Sequence, residues 1–99
     1  MDINLEHVGT RLTVTVAGRL NTGTAPEFEE KLIPELKGVE ELIIDFADLD
    51  YISSAGLRIL KLLYMALRKK EGELKVKNAN KLVMEVFEMT GFVGLLTFI

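Results

Sequence analysis

The first clear pattern is an alternation of apolar and polar side chains over residues 11–17, where Leu12, Val14 and Val16 are separated by threonines. This period of two predicts a strand with one buried and one solvated face. Ile3 and Leu5 indicate a shorter strand before it. The segment 7–10 contains a glycine and supplies a turn, so the two strands are predicted to form a hairpin.

Residues 18–23 are expected to form a loop. A helical period follows, with apolar residues at Phe28, Leu32, Ile33 and Leu36. We predict a helix over about 25–37, which Gly38 closes. Thr24 is a good N-cap and Glu27 lies three residues after it, as in a capping box. Pro34 lies inside this range and predicts a kink or an early end.

Residues 42–46 are almost continuously apolar, which predicts a central strand buried on both faces. Residues 47–56 are then expected to be the next connection, and a long helix is predicted to run from Ala55 to Lys70, with Gly72 ending it. Residues 74–77 alternate like an edge strand. A third helix is predicted between Asn80 and Gly91, and residues 95–99 are expected to include a last short strand.

The predicted order is β-β-α-β-α-β-α-β within a single domain of 99 residues. Strands separated by helices pair in parallel through right-handed crossovers. The sequence therefore predicts an α/β fold whose mixed sheet carries an N-terminal hairpin, with helices packed mainly on one face.

Composition excludes several function classes. The net charge of −3 does not favour nucleic-acid binding, which needs concentrated basic residues. Cysteine is absent and His7 is the only histidine, so disulfides, thiolate catalysis and multi-histidine metal sites are excluded. The N-terminus lacks a signal-peptide pattern and no apolar run is long enough to cross a bilayer, so we expect a cytoplasmic protein with no membrane partner.

Ser53 and Ser54 are the residues best placed for chemistry, because a predicted buried strand ends at Phe46, a short loop follows, and a helix opens at one of these two serines. We expect one of the two to cap the helix. A nucleophilic serine would need an activating base, and residues 52–56 lack the Gly-x-Ser-x-Gly pattern of hydrolases. The third interpretation, after a helix cap and a nucleophile, is that one of these serines accepts a phosphate, because helix N–H groups can hold a phosphate in place.

Three further features leave alternatives open. Arg58, Lys61 and the basic residues 68–70 fit either a partner face or a solvated helix surface. Leu62 and Met65 lie off the main apolar stripe and could be partner contacts or the core edge. Asp45, Asp48 and Asp50 lack the spacing of a calcium loop, and we expect the last two to hold the turn instead.

The run from Asp45 to Leu57, with Tyr51-Ile52-Ser53-Ser54-Ala55-Gly56 at its centre, resembles the phosphorylation loop of anti-sigma factor antagonists in the STAS domain family. Gly18-Arg19-Leu20-Asn21 is similar to the family's Gly-x-Leu-Asp turn, and Phe87 to Phe92 is similar to its Phe-x-x-Ser/Thr-Gly segment. The resemblance covers essentially the whole chain, residues 1–99.

By this resemblance, Ser54 is the phosphoacceptor, and the sites that support it or bind the partner are Asn21, Thr22, Ser53, Ala55, Gly56, Leu57 and Arg58. Asn21 and Ser53 stand where the family often has Asp, which removes two negative charges near the acceptor. The family mechanism implies binding to an anti-sigma factor that is also a serine kinase, and resetting by a phosphatase, in the control of sigma-factor-dependent transcription. It implies no enzymatic activity, metal or cofactor for this chain. An interaction module of a lipid-transport complex or a stress-signalling scaffold is the alternative.

Overall fold

The computed structural model describes residues 1–99 and shows one five-stranded sheet with the strand order β1-β2-β3-β4-β5. β1 is antiparallel to β2, and every other neighbouring pair is parallel. The predicted order of elements and the mixed sheet are confirmed. The elements are β1 (Asp2–Val8), β2 (Arg11–Leu20), α1 (Ala25–Leu32), β3 (Glu41–Ile52), α2 (Ser54–Arg68), β4 (Glu73–Lys77), α3 (Lys81–Thr90) and β5 (Thr97–Phe98).

The predicted hairpin is present, and its turn consists of Gly9 and Thr10 between the paired residues Val8 and Arg11. Gly9 has a φ of +61°, a conformation that favours glycine. Ile3 and Leu5 lie opposite Val16 and Val14, so the hairpin adds apolar side chains to the core face of the sheet.

β2 and β3 are both longer than the sequence predicted. Residues 18–20 and 47–52 were expected to be loops, but residues 18–20 pair in parallel with residues 49–52, across two register shifts that each add one extra residue to β3. In this part of β3 every third residue is buried, namely Phe46, Leu49 and Ile52. This spacing breaks the period of two by which a strand is recognised, and it hides the extension in the sequence.

All three helices pack on one face of the sheet, as predicted. Buried and half-exposed residues alternate along β3, where Leu42 and Ile44 are buried while Ile43 and Asp45 are not. The prediction that β3 is buried on both faces is therefore wrong, because no helix covers its second face. β4 also lies inside the sheet, between β3 and β5, and is not an edge strand.

The helix ends follow their glycine, proline and asparagine signals with one exception. α1 ends at Leu32, and Pro34 lies in the following 3-10 turn, Ile33–Leu36. α3 begins after Asn80, whose side chain accepts the Val83 N–H, and ends at the left-handed Gly91. Gly72 does not end α2 in a left-handed conformation. Glu71 holds that conformation, and Gly72 is buried where a Cβ would lie 2.9 Å from the Glu40 carbonyl oxygen.

Candidate functional site

The predicted site residues lie at the carboxyl ends of two neighbouring parallel strands. Leu20 ends β2, Ile52 ends β3, and the two are register partners. The backbone N–H of Ser53 donates to the Leu20 carbonyl oxygen over 2.9 Å. The segment that begins at Asn21 and the start of α2 are thereby held at the same edge of the sheet, where α/β proteins commonly place functional groups.

Asn21 organises the turn that leads into α1. Its side-chain oxygen accepts the N–H groups of Gly23 (2.9 Å) and Thr24 (3.1 Å), while Thr24 Oγ1 accepts the Asn21 N–H (2.9 Å). This reciprocal pair is a capping box that starts three residues earlier than predicted. Thr24 does not cap α1 with its side chain, because its hydroxyl donates to the Arg19 carbonyl oxygen and accepts from Asn21. Thr22 is exposed in the same turn.

Ser53 occupies the N-cap position of α2 in an extended conformation, with φ −100° and ψ 177°. We expected one serine of the pair to cap the helix, and that expectation is wrong, since the structure shows no side-chain capping bond there. Ser53 Oγ is enclosed and has no hydrogen-bond partner. Its backbone N–H is fixed by Leu20, so the conformation of the residue is set by the sheet rather than by the helix end.

Ser54 is the first residue of α2 and its side chain is exposed. The first intrahelical bond is donated by Leu57 to the Ser53 carbonyl oxygen, so the N–H groups of Ser54, Ala55 and Gly56 have no acceptor within the chain. The first turn of α2 contains no acidic residue. The opening of α2 is therefore electropositive and carries an accessible hydroxyl group.

Gly56 brings this helix end close to the sheet. A Cβ at residue 56 would lie 2.7 Å from Leu20 Cγ, 2.9 Å from Ile52 Cγ1 and 3.0 Å from the Leu20 carbonyl oxygen. Real Cβ atoms essentially never lie within 3.0 Å of another side chain, as this one would with Leu20 and Ile52, and the 3.0 Å approach to the backbone is also unusually tight. Glycine is therefore required for the close approach of α2 to the ends of β2 and β3.

The remaining predicted residues divide between the core and the surface. Leu57 is buried and Ala55 is half-buried, so both pack the base of α2, whereas Arg58 is exposed and forms no ion pair. Sequence analysis missed Leu20, whose carbonyl oxygen positions Ser53. Its assignment to a loop hid this role, although its place directly before Asn21 at a strand end was a usable signal.

The aspartates before the site do not form the turn that was predicted for them. Asp48 and Asp50 are exposed residues of β3, and Asp45 accepts the Ala47 N–H (2.9 Å) and the Asn78 side-chain amide (3.1 Å). No group of three potential metal-ligating residues is present. A cleft lined by residues that include Tyr64, Arg68 and Gly72 lies at the other end of α2, away from Ser54. None of the helices combines the length and apolar character needed to span a membrane.

Comparison with known proteins gives a consistent family. The family model "STAS domain" matches residues 2–99. The chain is 34% identical to BtrV of Bordetella bronchiseptica, which is assigned as an anti-sigma factor antagonist, over 96% of this chain and 83% of that protein. It is 26% identical to the anti-sigma-B factor antagonist of Bacillus subtilis, over 92% of this chain and 84% of the relative.

Solved structures show the same fold. The anti-sigma factor antagonist SpoIIAA in its unphosphorylated form superposes with a TM-score of 0.87 at 18% identity, covering 99% of this chain and 88% of SpoIIAA. The phosphorylated form of Bacillus SpoIIAA superposes with a TM-score of 0.78 at 17% identity, covering 99% and 91% of the two chains. Because the family model matches residues 2–99, the chain belongs to the STAS domain family, and the two relatives described above are named as anti-sigma factor antagonists.

Proposed function

We propose that this protein is an anti-sigma factor antagonist whose binding is switched off by phosphorylation of Ser54. In this proposal the unmodified chain binds an anti-sigma factor that is also a serine kinase, and a sigma factor is released. The kinase then phosphorylates Ser54 and lets the chain go, and a phosphatase restores the unmodified form. The relatives named above support the antagonist role.

The observation that carries the proposal is the position of Ser54, an exposed hydroxyl on the first residue of α2. A kinase can reach this hydroxyl group without unfolding the chain. In the transfer, Ser54 Oγ forms a bond to the γ-phosphorus of ATP held by the kinase, and the bond from that phosphorus to ADP breaks. The hydroxyl proton passes to a base of the kinase.

The start of α2 can accommodate a phosphate group on Ser54. A phosphoserine carries about −1.5 to −2 charges at neutral pH. The N–H groups of Ser54, Ala55 and Gly56 are free to receive a phosphate, and no acidic side chain in the first turn opposes it. We therefore expect phosphorylation to change the surface of the protein while leaving the sheet and core as they are.

Binding is lost because a partner that accepts a neutral hydroxyl group then meets a dianion. A hundredfold weaker affinity corresponds to about 2.7 kcal/mol. One close, unpaired charge in a partly desolvated contact supplies a penalty of this size.

The position of the only histidine favours a regulatory role of Ser54 over the role of nucleophile in a serine hydrolase. His7 pairs with Leu12 near the amino end of β2 and contacts Glu35 at 3.1 Å. Ser54 follows the end of β3 that pairs with the carboxyl end of β2, so the histidine and the serine are separated by the length of β2. The arrangement of a serine beside its activating base is therefore not formed.

The test is to incubate the chain with ATP and, separately, with each anti-sigma factor kinase of its source organism, and to locate phosphate by mass spectrometry. We expect one kinase to label Ser54, Ser54→Ala to abolish labelling while keeping partner binding, and Ser53→Ala to be labelled normally. Ser54→Asp is expected to weaken binding without unfolding the chain. Labelling at another residue, or no binding to any anti-sigma factor, would contradict the proposal.

A further inference from the structure

The outer face of α2 forms a continuous strip of cations and apolar side chains. We call this strip the basic stripe; its members are Arg58, Lys61, Leu62, Met65, Arg68 and Lys69. Their spacing of three and four residues places them on one side of the helix. All six are exposed, and Leu62 and Met65 keep 37% and 48% of their surface accessible.

The cations of the basic stripe have no intramolecular partners. The ion pairs of the chain use other basic residues, namely His7, Arg11, Lys31 and Lys75. The neighbouring Lys70 does not belong to the stripe, since its ammonium group donates to the Leu36 carbonyl oxygen. The four free cations are therefore available to an external acidic group.

Basic and acidic residues are unevenly distributed between α2 and the rest of the chain. Residues 54–70 contain five basic residues and no acidic one, whereas the remainder has seven basic and fifteen acidic residues, a net charge of −8. A concentrated positive face on an otherwise acidic body orients an approaching partner and selects one with a negative patch.

We propose that the basic stripe is the surface on which the unmodified chain docks an acidic surface of its anti-sigma factor. This inference rests on the proposed function and adds the chemistry of the partner. Met65 lies between cations on either side, so the fitting surface has an apolar contact flanked by carboxylates. At about 1.5 Å per residue, the cations from Arg58 to Lys69 extend over about 16 Å of helix.

Nucleic acid, a membrane surface and a second copy of this chain fit the basic stripe less well than an acidic protein surface does. A nucleic acid would have to approach a body with a net charge of −8. A membrane surface requires a larger apolar face than the two side chains Leu62 and Met65 offer. A second copy of this chain would bring the same basic stripe and the same net charge.

Phosphorylation acts directly on this surface. Ser54 lies four residues before Arg58 and thus on the same side of α2. A phosphate of about −1.5 to −2 charges would pair with Arg58 and offset up to half of the four positive charges. The modification thereby adds repulsion at the head of the stripe and weakens its attraction for the acidic partner along the rest.

The experiment measures the affinity of the full-length chain for the anti-sigma factor that labels Ser54, by titration calorimetry at low and high salt. The test variant is Lys61→Glu/Arg68→Glu. The matched control is Lys37→Glu/Lys81→Glu, which makes the same change in net charge at two exposed lysines that form no ion pair and lie outside the stripe. Circular dichroism checks that both variants fold.

We expect the test variant to bind at least about tenfold more weakly, equivalent to about 1.4 kcal/mol, and the control to stay within about threefold of the parent. The parent should also lose affinity with salt more steeply than the test variant. Met65→Ala, which keeps every charge, is expected to weaken binding at both salt concentrations.

Equal affinities of the test variant and the parent would overturn the docking surface while leaving the Ser54 switch intact. Equal losses in the test and control variants would show a general charge effect and would also overturn it. Stripe-dependent binding to phosphatidylserine vesicles, to duplex DNA or to a second copy, with anti-sigma factor binding unchanged, would assign the surface to that occupant instead. If no anti-sigma factor binds at all, the proposed function fails and this inference fails with it.

Discussion

The Ser53 N–H donates to the Leu20 carbonyl oxygen over 2.9 Å, and this bond joins the start of α2 to the end of β2. Ser54 follows immediately, so its place on the surface depends on how tightly the helix end is held against the sheet. Two neighbouring parallel strands, β2 and β3, and the helix that follows β3 thus determine where a single hydroxyl group is presented.

Gly56 maintains that contact, and Gly56→Ala should disturb it. The added Cβ would lie 2.7 Å from Leu20 Cγ and 3.0 Å from the Leu20 carbonyl oxygen. We expect a loss of about 1–3 kcal/mol in the free energy of unfolding, as for other overpacked positions. Urea denaturation measures it. Gly94→Ala is the control, because its Cβ would have no neighbour within 4 Å, and a similar loss there would argue against a packing effect.

The two N-caps of α2 and α3 should respond differently to alanine. Asn80 accepts the Val83 N–H and donates to the Leu49 carbonyl oxygen, so Asn80→Ala should cost about 1–2 kcal/mol of stability. Ser53 Oγ has no partner, and Ser53→Ala should change stability by less than about 0.5 kcal/mol. Thermal or urea unfolding compares them. A large loss of stability in Ser53→Ala would contradict the finding that Ser53 Oγ has no hydrogen-bond partner.

The capping box before α1 gives a third test. Asn21→Ala removes the acceptor for the N–H groups of Gly23 and Thr24, and we expect a loss of about 1 kcal/mol in unfolding free energy. Thr22→Ala, in the same turn but without such bonds, should leave stability nearly unchanged. If the two variants unfold at the same urea concentration, Asn21 does not organise this turn.

The open face of the sheet should produce a pH dependence through Glu41. Hydrogen bonds from Lys75 (2.5 Å) and Arg11 (2.7 Å) lower the pKa of the Glu41 carboxyl group below its ordinary value. A carboxyl group with a lowered folded-state pKa stabilises the fold above its unfolded-state pKa, and that contribution is lost as the pH falls through the folded-state pKa.

Glu41→Gln should therefore be less stable than the parent at pH 7, and the difference should shrink as the solution is acidified below the ordinary pKa of glutamic acid. Urea midpoints of both proteins across this range measure the effect. A difference that stays constant with pH would mean that the ionised carboxylate is not the stabilising group.

The sequence was sufficient for the order of elements, because each helix and most strands have a clear period in their apolar residues. It was insufficient at the ends of β2 and β3. There each of two register shifts adds an extra residue to β3 and replaces the alternation of its buried residues by a spacing of three, from Phe46 to Leu49 to Ile52. A bulge depends on the pairing of two distant segments, so neither segment shows it alone.

The hydrogen bonds at the helix starts were also only partly predictable from the sequence. Thr24 with Glu27 fits the local signature of a capping box and Asn21 with Thr24 does not, yet the fold forms the reciprocal bonds of the second pair. Ser53 has the residue type and position of a cap, but its side chain forms no capping bond, while its backbone N–H donates to the Leu20 carbonyl oxygen. Ser54 is the exposed first residue of α2, in agreement with the predicted helix opening, because two serines followed closely by a glycine are local signals.

The most direct test of the proposed switch compares two dissociation constants for the same anti-sigma factor, that of the unmodified chain and that of the chain phosphorylated at Ser54. Circular dichroism should show the same fold for both forms. We predict at least about hundredfold weaker binding of the phosphorylated chain, a difference of about 2.7 kcal/mol. Equal dissociation constants for the two folded forms would contradict the account.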